Sequence, residues 1–129
     1  MKRLRSIFVV GEKSIFGELI QIIALAQEAN AVLSRTLSED QNEQALDKSM
    51  QAIRLIEKNS DNIAFKVSED ITTGAVSPNT LDNLLAAVHI ADDIVDIYYY
   101  QSRELYRMYK ARFPYSEMLE EKEWFSLFK

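Results

Sequence analysis

The sequence has no cysteine, three glycines, two prolines and a single histidine. Without cysteine, the chain cannot use disulfides, thiolate metal ligands or a cysteine nucleophile. All-β folds need a turn residue about every 8 to 12 positions, and so few glycines and prolines exclude them. The glycines also fit neither GxGxxG nor GxxxxGK[ST], which excludes the common glycine-rich phosphate loops.

The charge balance and the N-terminus indicate a soluble setting. Fifteen basic against twenty acidic residues give a net charge of -5, which disfavours binding to nucleic acid. Lys2, Arg3 and Arg5 precede an apolar run, residues 7–10, that is too short for the core of a signal peptide. No apolar run reaches the ~20 residues of a membrane span. We therefore expect a cytoplasmic protein with at most peripheral contact at the inner membrane face.

One domain, residues 1–129, fits a chain with 47% hydrophobic and 27% charged residues. Apolar residues recur three and four positions apart along most of the chain, which predicts amphipathic helices. We expect the first helix from about Ser14 to Leu37, with apolar residues over much of its circumference. Its expected core residues are Leu19, Ile20, Ile23, Ala26, Leu33 and Leu37.

Capping and breaker residues divide the remainder into two more long helices. Ser38 and Gln41 have the spacing of a capping box, which predicts the start of the second helix. Gly74 is placed to end that helix in a left-handed conformation. Ser77 and Pro78 offer an N-cap and a first helical residue for the third helix. The expected core residues are Leu46, Met50, Ile53, Ile56, Ile63, Val67 and Ile71, then Leu81, Leu84, Leu85, Val88, Ala91, Val95 and Tyr99.

The third helix is expected to continue to Phe113, where Pro114 separates it from a tail, residues 115–129. Ser116 is placed to cap a short C-terminal helix. Short connections between long helices force neighbouring helices to run antiparallel. The predicted fold is all-α, an antiparallel three-helix bundle with a short C-terminal helix. The apolar tail residues either pack on this bundle or contact another copy: Met118, Leu119, Trp124, Phe125, Leu127 and Phe128.

A carboxylate stands among the apolar residues of the third helix. Asp92 lies one turn from both Val88 and Val95, near the centre of the apolar stripe at 100° per residue. A buried, unpaired carboxylate costs several kcal/mol, so a cation or a proton has to compensate it. One alternative is an ion pair with Arg103 on the same stripe, with the other acids solvated.

Two acidic pairs, each spaced by four residues, are expected to face each other across the hairpin. Glu57 and Asp61 lie 17 and 13 residues before the glycine of the turn, and Asp92 and Asp96 lie 15 and 19 residues after its serine. Antiparallel helices place such positions at similar heights. Four carboxylates would form a hard-oxygen site for Mg²⁺, Mn²⁺, Ca²⁺ or iron, with Zn²⁺ also open.

Known enzyme motifs fit these acids poorly. Residues 92–96 read DDxxD, as in prenyl-diphosphate synthases, but that fold needs a longer chain and a second acidic motif. Ferritin-like di-iron sites need Glu-x-x-His, and Ala86 stands three residues before His89. The EExxE and ExxD elements of helical nucleotide pyrophosphohydrolases cannot be assembled. A metal-dependent hydrolase of a phosphorylated substrate and a metal-free helical interaction module remain alternatives.

Three segments together resemble a known family. Residues 56–61 (IEKNSD), Ser77-Pro78 and residues 91–96 (ADDIVD) are similar to the PhoU-like phosphate-transport regulators, especially the accessory proteins of Pit-type inorganic phosphate transporters. The likeness spans roughly Phe16 to Arg107. The chain has about the length of one three-helix unit where PhoU has two, which suggests that copies pair.

The resemblance implies a non-enzymatic, metal-binding regulator. In that family each three-helix unit carries E(D)xxxD motifs whose acids bind metal ions. The matching positions here are Glu57 with Asp61 and Asp92 with Asp96. The implied partners are an inorganic phosphate transporter or its regulatory proteins, and a homo-oligomer is expected.

Overall fold

The computed structural model describes residues 2–39, 42–75 and 77–111, with their side chains except those of residues 2–12 and 75. Helix α1 spans Lys2–Ser38, α2 spans Glu43–Asp70, and α3 spans Pro78–Lys110. A short π-helical turn, Ile71–Ala75, follows α2 directly. Each helix packs against the other two. The predicted all-α fold is therefore confirmed, with α2 antiparallel to α1 and α3.

The turn between α2 and α3 follows the prediction. Gly74 adopts φ +94°, a left-handed conformation that side chains with a Cβ rarely adopt. Ser77 is the N-cap of α3 with extended backbone, and Pro78 is the first helical residue. The N–H of Thr80 donates to the Ser77 carbonyl oxygen at 3.1 Å. The breaker residues thus fold the chain back on itself where expected.

The predicted start of α2 is wrong. Ser38 is the last residue of α1, and its hydroxyl donates to the Arg35 carbonyl oxygen at 2.9 Å. Asn42 caps α2 instead, because its Oδ1 accepts a hydrogen bond from the Ala45 N–H at 2.8 Å. Asparagine caps helices as well as serine does, and this one directly precedes the first α2 residue. Gln41, the other half of the predicted capping box, lies outside the described residues.

Helix α1 also differs from the prediction. It begins at Lys2 rather than near Ser14, and it buries one face rather than most of its circumference. Ile20 and Ile23 are 64% and 46% exposed, whereas Ile22 is fully buried. The reason is that α2 and α3 both lie on the same side of α1. The buried residues of this face are Ile15, Glu18, Ile22, Ala26, Ala29, Leu33, Thr36 and Leu37.

One segment of α1, Lys13–Ser38, is long and apolar enough to cross a membrane by length and composition alone. This finding corrects the expectation that no segment meets that test. The core helix of a soluble protein can pass the same test, and part of this segment is buried against α2 and α3.

Two hydrophobic clusters fill the bundle. The first lies toward the α2–α3 turn and includes Ile15, Ile22, Val67, Ile71 and Val88. The second lies toward the other end and includes Leu33, Ile53, Ile56, Val95 and Leu105. Between them along α2 stands Ser60, which is completely buried. Most predicted core positions are confirmed, but the polar residue on the α2 stripe was not predicted.

Helix α3 ends at Lys110, three residues before the predicted end at Phe113. The predicted C-terminal helix and the contacts of the tail fall outside the described residues.

Replacing Asn42 with alanine should lower the free energy of unfolding by about 1 kcal/mol, because the Ala45 N–H loses its acceptor. Urea unfolding followed by circular dichroism measures the change. Ser38→Ala is the control, since this hydroxyl bonds the end of α1 and caps nothing in α2. A larger loss for Ser38→Ala than for Asn42→Ala would contradict this assignment of the cap.

Candidate metal centre

The centre is built on the contact between α2 and α3, where a buried serine meets an aspartate. Ser60 donates its hydroxyl hydrogen to Oδ1 of Asp92 at 2.7 Å. Ser60 lies one turn from both Ile56 and Ala64 on the buried stripe of α2. Its small side chain leaves room for the Asp92 carboxylate at the edge of the core.

The expectation that Asp92 lies at the centre of the α3 stripe is wrong by one residue. Ala91 is buried there, together with Val88 and Val95, while Asp92 is half-buried beside them. One residue of helix rotates a side chain by 100°, which is enough to move the carboxylate toward α2 and partly into solvent.

Three of the four predicted ligands converge above this contact. One carboxylate oxygen each from Glu57, Asp61 and Asp96 can be chosen so that all three lie within 4.8 Å of one another. Glu57 and Asp61 are one turn apart on α2, and Asp96 faces them from α3. Glu57 is half-buried and Asp61 is exposed. We call Glu57, Asp61 and Asp96 the acidic cluster.

Asp92 lies beside the acidic cluster rather than inside it. Its Oδ1 is taken by the Ser60 hydroxyl. Its charge nevertheless acts on Glu57 and Asp96, and Asp61 acts on it in turn. Asp92 is therefore a neighbouring acid at the base of the site.

Burial, together with the charges of neighbouring acids, raises the pKa of Glu57, Asp92 and Asp96. Burial, a hydrogen bond with Asp61 and the charges of Asp61, Asp96 and Asp92 raise the pKa of Glu57 to about 7. Burial and the charges of Asp92, Asp61 and Asp93 raise the pKa of Asp96 to about 6. The pKa of Asp92 is raised chiefly by partial burial, although the hydrogen bond from Ser60 lowers it. At neutral pH a proton and a cation would therefore compete for the Glu57 carboxylate.

The alternative of an ion pair between Asp92 and Arg103 is wrong. The Arg103 guanidinium lies over the Tyr99 ring, 5.3 Å from its centroid. Eleven residues of helix separate Arg103 from Asp92, a rise of about 16 Å that no arginine side chain spans. The ion pairs among the described residues all lie elsewhere: Lys66 with Glu18, Arg107 with Glu104, and Lys110 with Glu43.

The donor set fits a hard divalent cation. Oxygens bound to one ion at about 2.1–2.5 Å lie at most about 4.2–5 Å apart, so the cluster is already near the span of a single coordination sphere. Carboxylates alone suit Mg²⁺, Mn²⁺, Ca²⁺ or Fe²⁺ better than Zn²⁺, which favours histidine and cysteine. His89 is exposed and is not a member of the cluster.

The contribution of Ser60 was missed from the sequence. The sequence does contain an indication of this contact, because Ser60 is a hydroxyl residue on the apolar stripe of α2, one turn from Ile56. A polar residue at such a position needs a hydrogen-bond partner on a facing helix. Periodicity alone does not say which acid of α3 supplies it.

The raised pKa values should make the metal-free protein less stable at high pH. Between about pH 4.5 and 7 the unfolded chain has lost the Glu57 proton that the folded chain retains, so stability falls as pH rises through this window. Glu57→Gln removes this effect and should stabilise the protein at about pH 8 in chelator, with little gain at about pH 4.5. Screening at an accessible site limits the gain to less than about 1 kcal/mol.

Thermal unfolding of both proteins across this pH range measures the effect. Glu28→Gln on the exposed surface of α1 is the matched control and should leave the pH profile unchanged. Superimposable profiles for Glu57→Gln and the unmodified chain would contradict the close approach of the three carboxylates.

Comparison with known proteins identifies no relative from which the role of this site could be inferred. No family model, no curated protein and no solved structure matches the chain.

Proposed function

We propose that this chain is a non-enzymatic, PhoU-like regulator that binds a metal ion between α2 and α3. The observation that carries the proposal is the acidic cluster, in which Glu57, Asp61 and Asp96 from two helices approach within 4.8 Å. No cationic side chain of the described residues forms an ion pair with these acids. Burial and the charges of neighbouring acids raise the pKa of Glu57 and Asp96, and a divalent cation would relieve the repulsion between those charges.

Each residue has a distinct part in the proposed site. Glu57, Asp61 and Asp96 hold the cation through carboxylate oxygens, and they link α2 to α3 when it is bound. Asp92 adds negative charge at the base of the site, and Ser60 fixes its orientation through the 2.7 Å hydrogen bond. A bound divalent cation supplies positive charge and open coordination positions, which can accept a phosphate oxygen.

The proposed partner is an inorganic phosphate transporter or one of its regulatory proteins at the inner membrane face. This part of the proposal rests on the likeness of residues 56–61 and 91–96 to PhoU-like accessory proteins. A chain with a net charge of -5 repels phosphate, and a cation bound at the acidic cluster would attract it. Phosphate bound in this way could signal the phosphate supply to such a partner. The same likeness supports the proposal of a cytoplasmic homo-oligomer.

A second candidate function is a metal-dependent hydrolase of a phosphorylated substrate. The pKa of Glu57, about 7, is that of an effective general base at neutral pH. A half-buried acid beside like charges has such a pKa without any catalytic role, so the regulator remains the preferred proposal.

Metal binding is measured by titrating the chelator-treated protein with Mn²⁺ in a calorimeter. Asp61→Asn and Asp96→Asn should each weaken binding by about ten-fold or more, because each removes a ligand. The control is Asp93→Asn, an exposed acid next to Asp92 that is not a member of the cluster. It should weaken binding only slightly. Binding should also weaken below about pH 6, where Glu57 and Asp96 hold protons.

Native protein that takes up neither Mn²⁺ nor Fe²⁺ would defeat the metal site. Equal losses of affinity for Asp93→Asn and Asp96→Asn would assign the effect to general charge rather than to the cluster.

The two candidate functions differ in whether the protein hydrolyses a phosphoester. The Mn²⁺-loaded regulator should bind inorganic phosphate in a calorimeter and release none from p-nitrophenyl phosphate. Phosphate release that disappears in Glu57→Gln, while Glu28→Gln retains it, would establish the hydrolase instead.

A further inference from the structure

An arginine of α3 lies on an aromatic ring near the acidic cluster. The Arg103 guanidinium is 5.3 Å from the centroid of the Tyr99 ring. Tyr99 is half-buried and packs against the second hydrophobic cluster, which supports the ring from below. A guanidinium that lies over an aromatic ring keeps its N–H donors in its own plane, at the edge of the stack. Arg103 therefore presents an ordered group of cationic donors at the surface.

Arg103 lies on the same flank of α3 as Asp96. Seven residues, two turns of helix, separate Asp96 from Arg103, and seven more lead to Lys110. Asp96 meets two acids of α2 in the acidic cluster, and Lys110 pairs with Glu43 at the start of α2 at 3.7 Å. Arg103 is halfway between these two contacts, so it lies along the boundary between α2 and α3.

The Arg103 side chain extends toward the acidic cluster. Side chains of a helix tilt toward its N-terminus, and the guanidinium accordingly lies over Tyr99, which is closer to Asp96 than Arg103 itself. Tyr99 follows Asp96 by one turn, a rise of about 4.5 Å. The charges that act on Glu57 and Asp96 are all acidic, so the guanidinium does not lie against their carboxylates. About one helical turn separates the guanidinium from the cluster.

Among the described residues, Arg103 forms no ion pair. The next basic residue toward the C-terminus, Arg107, is paired with Glu104 at 2.9 Å. Arg54 of α2 is also without an ion pair in this part of the chain and lies one turn before Glu57. The tilt of α2 side chains directs Arg54 away from the cluster, because the cluster lies on its C-terminal side. Arg103 is therefore the arginine placed to share a ligand with the cluster.

The chemistry of the two groups selects the ligand. A guanidinium binds a carboxylate or a phosphate through two parallel N–H···O hydrogen bonds. A carboxylate has two oxygens, and the guanidinium takes both. A phosphate has four, so oxygens remain for a cation at the acidic cluster. A cation site and a guanidinium about one turn apart therefore suit a phosphate group better than a carboxylate.

We propose that Arg103, supported by Tyr99, is the second contact of a phosphate group bound at the acidic cluster. This inference rests on the proposed function, because a cation held by the cluster supplies the first contact. Without that cation the carboxylates of the cluster repel phosphate. Phosphate binding should therefore require both the metal and the arginine.

Titration of inorganic phosphate into the full chain tests the proposal in a calorimeter, after loading with Mn²⁺ and removal of excess metal. Arg103→Gln should weaken phosphate binding about ten-fold or more, because a bidentate charged donor is lost. Arg103→Lys keeps the charge without the planar fork and should lose an intermediate amount. Arg54→Gln is the control with the same loss of charge, and screening should limit its effect to less than about three-fold.

The same variants separate this inference from the proposed function. Their Mn²⁺ affinity, measured without phosphate, should stay within about three-fold of the unmodified chain, since neither arginine is a ligand. An unmodified chain that takes up no Mn²⁺ would overturn the metal site and this inference with it. Three results would overturn this inference alone: Mn²⁺ uptake without phosphate binding, equal losses for Arg54→Gln and Arg103→Gln, and phosphate binding of equal strength in chelator.

Free phosphate and a phosphate ester share this chemistry, and a parallel titration with phosphoserine distinguishes them. A higher affinity for phosphoserine than for inorganic phosphate would assign the contact to a phosphorylated ligand, and a lower affinity would assign it to the free anion. In either case the binding should weaken in Arg103→Gln, and binding that does not weaken contradicts the contact. Circular dichroism checks that all variants remain helical.

Discussion

The packing of α2 against α3 is the contact on which the candidate site depends, because it brings like charges together. Burial of Ile53, Val67 and Val88 contributes roughly 1.5–3 kcal/mol for each side chain. Repulsion among accessible carboxylates costs less than about 1 kcal/mol per pair. The apolar core can therefore hold Glu57, Asp61 and Asp96 in a mutually unfavourable arrangement, which is the arrangement that a cation would stabilise.

The hydrogen bond between Ser60 and Asp92 lies between the buried core and the acidic cluster. Ser60 is fully buried and has one partner in α3, so it orients Asp92 at the base of the acidic cluster. The Asp92 charge then helps to raise the pKa of Asp96. Protons and a bound metal ion would compete for the same carboxylate oxygens. A regulator that binds metal this way would respond to pH as well as to the supply of the cation.

Glycine, proline and capping residues predicted the turn between α2 and α3 well, but they predicted the start of α2 incorrectly. The roles of Gly74 and Pro78 are predicted correctly because glycine tolerates the left-handed backbone of the turn and the proline ring fixes φ at a helical value, whatever packs on them. The predicted start of α2 is wrong because Ser38 and Asn42 are both residues that can cap a helix. The choice between them depended on where α1 ended. The predicted core of α1 is wrong at Ile20 and Ile23, which are exposed. When a helix is apolar on several sides, its sequence does not indicate which side packs against the neighbouring helices.

The sequence alone determined the helical class, the hairpin and the height at which the two acidic pairs meet, because these follow from residue spacing along one chain. The tertiary structure decided which three carboxylates converge, that Ser60 meets Asp92, and that Ile20 and Ile23 of α1 lie exposed rather than in the core. Each of these depends on the rotation of a helix about its own axis. That rotation is set by the packing of the whole core, where a change of one residue moves a side chain by 100°.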